Sequence, residues 1–181
     1  MRRIVNSTFV SLDGVINHMD RWHADFVDEE LQALALEQLR GADAMLMGRR
    51  TYEGYAAVWP NVGSEYADAI NAITKYLVSA SVTNPEWANT KVLKGELIEE
   101  VSKLKETPGK DILMHGYGPV AKTLVRHGLL DRLFLWVHPV LAGVGTADDL
   151  LLAEGVNVRL TLSDVQRLAS GVVTLSYDAT R

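Results

Sequence analysis

Cysteine is absent from the 181 residues. Its absence excludes a disulfide scaffold, a thiolate zinc site, an iron–sulfur cluster and a cysteine nucleophile. There is no basic excess either. Lys+Arg number 18 against 23 Asp+Glu, a net charge of −5, and sequence-independent nucleic-acid binding needs a basic face. Nucleic acid is therefore not an expected partner. The 5 histidines form no HExxH and no pair at i, i+4, and His18 and His23 are five apart in a loop-like stretch, so no metal site is expected. No apolar run is long enough to span a bilayer. Met1-Arg2-Arg3 leads into Ile4-Val5-Asn6-Ser7-Thr8, too polar for the apolar part of a signal peptide. The expected compartment is the cytoplasm, with no membrane contact. A GxxxxGK[ST] loop and a GxSxG elbow are also missing, which disfavours a P-loop enzyme and a serine hydrolase of that type.

What remains is an ordinary globular composition, 48% hydrophobic and 23% charged, with 7% aromatic residues, which rules out disordered, collagen-like and coiled-coil chains. A chain of this length buries roughly two-thirds of its unfolded surface and needs no covalent staple. No linker, repeat or low-complexity segment interrupts it, so a single domain is expected over residues 1–181.

Strand and helix signals alternate. Arg3 to Val10 reads as a strand entering the turn Ser11-Leu12-Asp13-Gly14. After a polar loop, Asp28-Glu29-Glu30 opens a helix carrying Leu31, Leu34, Ala35 and Leu39, closed by Gly41. Ala42 to Met47 reads as a strand, followed by a turn at Gly48-Arg49-Arg50-Thr51 and a helix with Tyr52, Tyr55 and Trp59, stopped by Pro60. A short helix over 64–72 precedes a strand from Lys75 to Val78 and the turn Ser79-Ala80-Ser81. A short strand near Lys91-Val92-Leu93, a helix with Leu97, Val101 and Leu104, and a strand from Asp111 to His115 come next. Gly116-Tyr117-Gly118-Pro119 then leads into a helix with Val120, Leu124 and Val125. Leu133 to Val137 is an apolar strand. Asn157 to Leu168 and Val172 to Tyr177 alternate as a final hairpin. This is an α/β chain with a mostly parallel sheet and an antiparallel C-terminal hairpin.

Ligands of such sheets bind at the carboxyl ends of the strands, and three of these ends carry anion-binding chemistry. Gly116-x-Gly118-x-x-Ala121 follows a strand and opens a helix whose N–H groups suit a pyrophosphate, with Pro119 tolerated in the first turn. The acidic residue that a Rossmann site places after the next strand is missing at Val137-His138-Pro139, so that reading is rejected. Arg49 and Arg50 suit a 2′-phosphate and hence NADP rather than NAD. Thr51, Ser79 and Ser81 add hydroxyl donors. Each has a plainer reading too, as a solvated charge or a helix cap.

Five segments come in a distinctive order. They are Ser11-Leu12-Asp13-Gly14, Leu46-Met47-Gly48-Arg49-Arg50-Thr51-Tyr52-Glu53, Ile112-Leu113-Met114-His115-Gly116-Tyr117-Gly118, Gly128-Leu129-Leu130-Asp131-Arg132-Leu133 and Pro139-Val140-Leu141-Ala142-Gly143-Val144-Gly145. From about residue 3 to residue 177 the chain resembles the dihydrofolate-reductase-like proteins, and among them the reductase domain of the bifunctional riboflavin-biosynthesis deaminase/reductase. The resemblance implies a three-layer dihydrofolate-reductase-like fold, NADPH as hydride donor and a homodimer. It implies phosphate binding by Gly48, Arg49 and Thr51, adenosine binding by Ser79 and Ser81, and a pyrophosphate cradle of Gly116, Tyr117, Gly118, Pro119 and Val120. Asp13 would face the nicotinamide and substrate. The chain departs from the family pattern at Tyr117, where a small residue is common and where the ring is expected to bulk up the turn, and at Arg132, where an acid is common.

The expected reaction is hydride transfer to a C=N or C=O bond of a small heterocycle such as a pterin or a ribosylaminopyrimidine. Asp13 is the first candidate proton donor, through a pKa raised beside an apolar cofactor face; His18 and His23 are alternatives. Trp22, with Trp59, is a candidate wall for the substrate ring, although packing explains both, as it does Tyr52 and Tyr55. Two other readings stay open: a non-catalytic nucleotide- or pterin-binding protein, and a flavin-dependent reductase using the same cleft. The strand Leu133–Val137 and the last strand, with Val173, Leu175 and Tyr177, would favour subunit pairing if either lay at a sheet edge.

Overall fold

The computed structural model describes residues 1–151 and 154–180. Eight strands form one sheet: β1 (Ile4–Ser11), β2 (Ala42–Gly48), β3 (Thr74–Val78), β4 (Thr90–Val92), β5 (Asp111–His115), β6 (Arg132–His138), β7 (Leu160–Arg167) and β8 (Val173–Ala179), in the spatial order β4-β3-β2-β5-β1-β6-β8-β7. The first six in that order run parallel, and β8 and β7 complete the sheet antiparallel. Five helices join them: α1 (Glu29–Gly41), α2 (Arg49–Val58), α3 (Glu65–Ala72), α4 (Leu97–Glu106) and α5 (Pro119–Arg126). The three-layer α/β architecture expected from the sequence is the one observed.

The layers follow from strand alternation. On β1, Ile4 and Val10 face a core shared with Val101 and Leu104 of α4 and Ala121 and Leu124 of α5. Val5 and Phe9 face the opposite side. There Leu39 of α1, Tyr52 of α2 and Ile70 of α3 pack on Met45 and Met47, and Leu31 packs near Phe134 and Trp136. Local chemistry sets the helix starts. The Asp28 carboxylate accepts the Leu31 N–H at 2.8 Å and Ser64 Oγ accepts the Ala67 N–H at 3.1 Å, each satisfying an orphan donor of the first turn.

The polar stretch between β1 and α1 folds into two short 3-10 turns, Met19–Arg21 and Ala24–Phe26. The expectation about edge strands is corrected. β6 lies between β1 and β8, and β8 between β6 and β7, so neither is at an edge. The edges are β4 and β7. On β7, Leu160, Leu162 and Val165 are 39%, 50% and 57% exposed. Among the described residues, no helix is long and apolar enough to cross a membrane.

Candidate functional site

β2 and β5 are hydrogen-bonded neighbours; β2 runs directly into α2, and β5 reaches α5 through the turn Gly116-Tyr117-Gly118. Gly48 and Gly118 are the N-cap residues of α2 and α5, and neither start carries a side-chain cap. The first-turn amides of both helices are thus left for a ligand or solvent. The two starts are close together. A Cβ on Gly48 would lie 3.2 Å from Val120 Cγ2, and one on Gly116 would lie 3.9 Å from Thr51 Oγ1. Gly116 itself has a φ of +75°, a left-handed backbone that glycine adopts freely. Its turn is pinned from below: Asn6 Nδ2 donates to the Gly116 carbonyl at 2.7 Å, the Thr8 hydroxyl donates to Asn6 Oδ1 at 2.7 Å, and the Gly116 N–H donates to the Ser7 carbonyl at 3.1 Å. At Gly118 a Cβ would meet nothing within 4 Å, so the ground above α5 is open. Juxtaposed, uncapped helix N-termini with open space above them suit a phosphate or pyrophosphate.

Beside this cradle, on the α1 and α2 side of the sheet, a cavity of about 790 Å³ is bounded by β1, β5, β6, α1 and α2; Arg50, Thr51 and Gly116 line it, so the two spaces adjoin. Polar groups enter its wall in three sets. The Tyr55 hydroxyl lies 2.9 Å from His115 Nδ1. Burial holds both neutral, lowering the His115 pKa to about 4 and raising that of Tyr55. In the second set, Trp136 Nε1 donates to Ser7 Oγ at 2.8 Å and Ser7 Oγ donates to Gln38 Oε1 at 2.8 Å. In the third, His23 Nδ1 lies 2.9 Å from His138 Nε2, and Phe9 stacks on the His23 ring at 4.2 Å. Burial, and then His138, lowers the His23 pKa to about 4.

The residues expected from the sequence separate into groups. Gly48, Thr51, Gly116, Gly118, Pro119 and Val120 come together at the paired helix starts. Arg50 lines the cavity and its guanidinium makes no ion pair among the described residues. Arg49 pairs with Glu53 at 2.6 Å one turn along α2. Ser79, at the end of β3, accepts the N–H groups of Ser81 and Val82, at 3.3 and 3.0 Å, and so closes its own turn; Ser81 is exposed.

Three expectations change. Tyr117 does not crowd the turn, because its ring is buried in the core beneath α5. Asp13 has a lowered pKa rather than a raised one, about 2: it is exposed, and its carboxylate accepts the Ser11 hydroxyl and the N–H groups of Gly143 and Ala142, the last two at 2.8 and 3.0 Å. That ties the first loop to the connection after β6 and leaves an ionised acceptor, not an acid. Trp22 is buried against the His138 ring with its Nε1 donating to the Asn17 carbonyl, and it is not part of the cavity wall. Trp59 and Trp136 are. Of the two alternative donors, His23 reaches the cavity, whereas His18 is exposed, 3.6 Å from Asp149.

Sequence reasoning missed Asn6, Gln38, Tyr55 and His115. One signal was available for the first: Asn6-Ser7-Thr8 interrupts an otherwise apolar, fully covered strand, and buried polar groups need partners.

A parallel sheet closed by an antiparallel hairpin, with paired helix starts opening onto a deep cleft, is the dihydrofolate-reductase-like fold that the sequence resemblance implies. The chain belongs to the RibD C-terminal domain family, whose model matches residues 2–174. It is 28% identical to the uncharacterized protein YyaP of Bacillus subtilis (strain 168), over 97% of this chain and 94% of that one. Among solved structures it is similar to a candidate riboflavin biosynthesis protein from Shewanella sp. PV-4, with a TM-score of 0.76, 18% identity and 99% of each chain covered. It is also similar to a diaminohydroxyphosphoribosylaminopyrimidine deaminase/5-amino-6-(5-phosphoribosylamino)uracil reductase from Thermotoga maritima, with a TM-score of 0.67 and 14% identity. That likeness covers 99% of this chain and 57% of the Thermotoga one.

Proposed function

We propose that this chain is an NADPH-dependent reductase of the cytoplasm that delivers hydride to a C=N or C=O bond of a small heterocycle, a pterin or a ribosylaminopyrimidine among the candidates. The observation that carries the reading is the pair of uncapped helix starts, α2 and α5, set side by side and opening into the cavity. The residues present fit the cofactor. Gly48, Thr51, Gly116, Gly118, Pro119 and Val120 would hold the pyrophosphate, Arg50 with Arg49 the 2′-phosphate, and Ser79 and Ser81 the adenosine side. Bound there, NADPH would supply the hydride.

The chain's own side chains would then position the substrate and exclude water. The neutral Tyr55–His115 pair lies at the junction of cradle and cavity, where it can orient a ligand without adding charge. Asp13 would act on loop geometry rather than as a proton donor. A homodimer belongs to the same reading, with β7 as the surface that offers unpaired backbone groups and exposed Leu162 and Val165 to a second copy.

Calorimetric titration with NADPH and NADH tests the reading. NADPH is expected to bind at least about tenfold more tightly than NADH, a difference of about 1.4 kcal/mol, and Arg50→Ala is expected to narrow the gap. Binding of neither nucleotide would overturn it. A yellow purified protein that binds flavin instead would move the cleft to the flavin-dependent alternative.

A further inference from the structure

Two hydrogen-bond chains end on the cavity wall, and each has its direction fixed by a group with no choice. The first begins at Trp136, whose indole N–H can only donate and does so to Ser7 Oγ. Ser7 is 6% exposed, so its own proton needs a protein acceptor and finds Gln38 Oε1. Gln38 therefore has its carbonyl engaged, and its NH₂ group makes no hydrogen bond to another described residue. The second chain begins at the Trp136 carbonyl, which can only accept. His138 Nδ1 lies 2.9 Å from it and must carry a proton. In the neutral ring Nε2 is then a lone pair, and it takes the proton of His23 Nδ1 at 2.9 Å. His23, neutral as well, is left with a lone pair on Nε2.

Both rings are packed against aromatic neighbours in this orientation. Phe9 stacks on His23, and Trp22 and Phe26 meet the His138 ring edge-on at 5.1 and 5.4 Å. Both chains grow from the same residue, Trp136, which is 1% exposed. One buried tryptophan thus fixes a donor at Gln38 and an acceptor at His23, both on the wall of one cavity.

We infer that His23 and Gln38 are a specificity-determining pair, in which His23 Nε2 accepts a ring N–H of the ligand and the Gln38 amide donates to a ligand carbonyl. The inference rests on the cavity being the substrate site of the proposed reductase, but not on which cofactor serves it. A heterocycle with both an N–H and a C=O satisfies the pair. One whose ring nitrogens are alkylated leaves His23 unmatched in a partly desolvated position, a loss that discriminates more strongly than a change of shape.

The probes are lumazine, which has two ring N–H groups, and 1,3-dimethyllumazine, which has none. Both keep their carbonyls and both are followed by their own fluorescence. The wild-type protein is expected to bind lumazine about tenfold more tightly, as one hydrogen bond of about 1.4 kcal/mol would give. In His23→Phe the preference disappears while NADPH affinity stays unchanged. In Gln38→Leu both probes weaken together and the preference remains. A second measurement needs no variant. The ¹⁵N spectrum of the wild-type imidazoles should show a pyridine-like His23 Nε2 that shifts with lumazine and not with the dimethyl compound. Equal wild-type affinity for the two probes, a preference that survives His23→Phe, a protonated Nε2 at neutral pH, or no lumazine binding up to its solubility limit would each overturn the inference. Loss of NADPH binding with the lumazine preference intact would instead sink the reductase reading and leave the pair standing.

Discussion

Val120 Cγ2 stands 3.2 Å from the point where Gly48 would carry a Cβ. That distance is tighter than an ordinary van der Waals contact, and it joins the starts of α2 and α5. Gly48 is therefore required by the approach of the two helices rather than by its own backbone, whose φ of −80° any residue adopts. Gly48→Val is expected to force the helix starts apart, at a cost of about 1–3 kcal/mol in stability. NADPH affinity is expected to fall by at least about tenfold. Thermal unfolding and calorimetry on the same sample check both effects, and a variant that unfolds earlier yet binds NADPH normally would detach the contact from the cradle.

The buried histidines make stability depend on pH in a defined direction. His23 and His115 titrate at about 4 in the folded chain against 6.5 for the free side chain. Between those values the unfolded chain binds more protons than the folded one. Stability therefore rises with pH through that window, is complete above about 6.5, and is lost as pH falls toward 4. The slope is at most about 1.4 kcal/mol per pH unit for each group, and less for His23, which is only half-buried. The Asp13 and Asp149 carboxylates, lowered to about 2 from 3.8, act only below that window. Urea midpoints are expected to be lower at pH 5 than at pH 7.5, and equal midpoints would contradict the neutral, buried state of these rings.

Asp13 fastens the connection after β6. Its carboxylate caps the amides of Ala142 and Gly143, and Asp13→Ala removes both acceptors, together with the acceptor of the buried Ser11 hydroxyl. Hydrogen exchange at those two amides is expected to quicken by an order of magnitude or more, while the amides of β1 and β5 are unchanged. Unchanged exchange at Ala142 and Gly143 would show that something else holds the loop.

The exposed edge predicts the state of assembly. β7 has one hydrogen-bonded neighbour, β8, and carries exposed Leu162 and Val165. Light scattering at micromolar concentration is expected to give a dimer, and Leu162→Lys with Val165→Lys a monomer. A monomeric wild type would remove the homodimer from the account.

The architecture was legible because its signals are local. Asp28 caps α1 and Gly118 caps α5 from neighbouring positions, and β5 is centred on the apolar Ile112-Leu113-Met114 and followed by Gly116. The cradle was legible for the same reason, since a helix start after a strand is written in consecutive residues. The cavity wall was not. Tyr55 meets His115 across 60 residues and His23 meets His138 across 115, and no periodicity encodes such pairs. Tyr55 reads as packing until His115 is placed beside it. Asp13 reads as a candidate acid until Ala142, 129 residues away, is seen to donate to it. Its charge state belongs to a loop contact that only the folded chain creates.

The most direct test is a crystal structure of the protein with NADPH. The account predicts the pyrophosphate hydrogen-bonded to first-turn amides of both α2 and α5, the 2′-phosphate beside Arg50, and the nicotinamide entering the cavity next to Tyr55 and His115. A nucleotide bound away from the paired helix starts, or held by only one of them with the cavity empty, would contradict it.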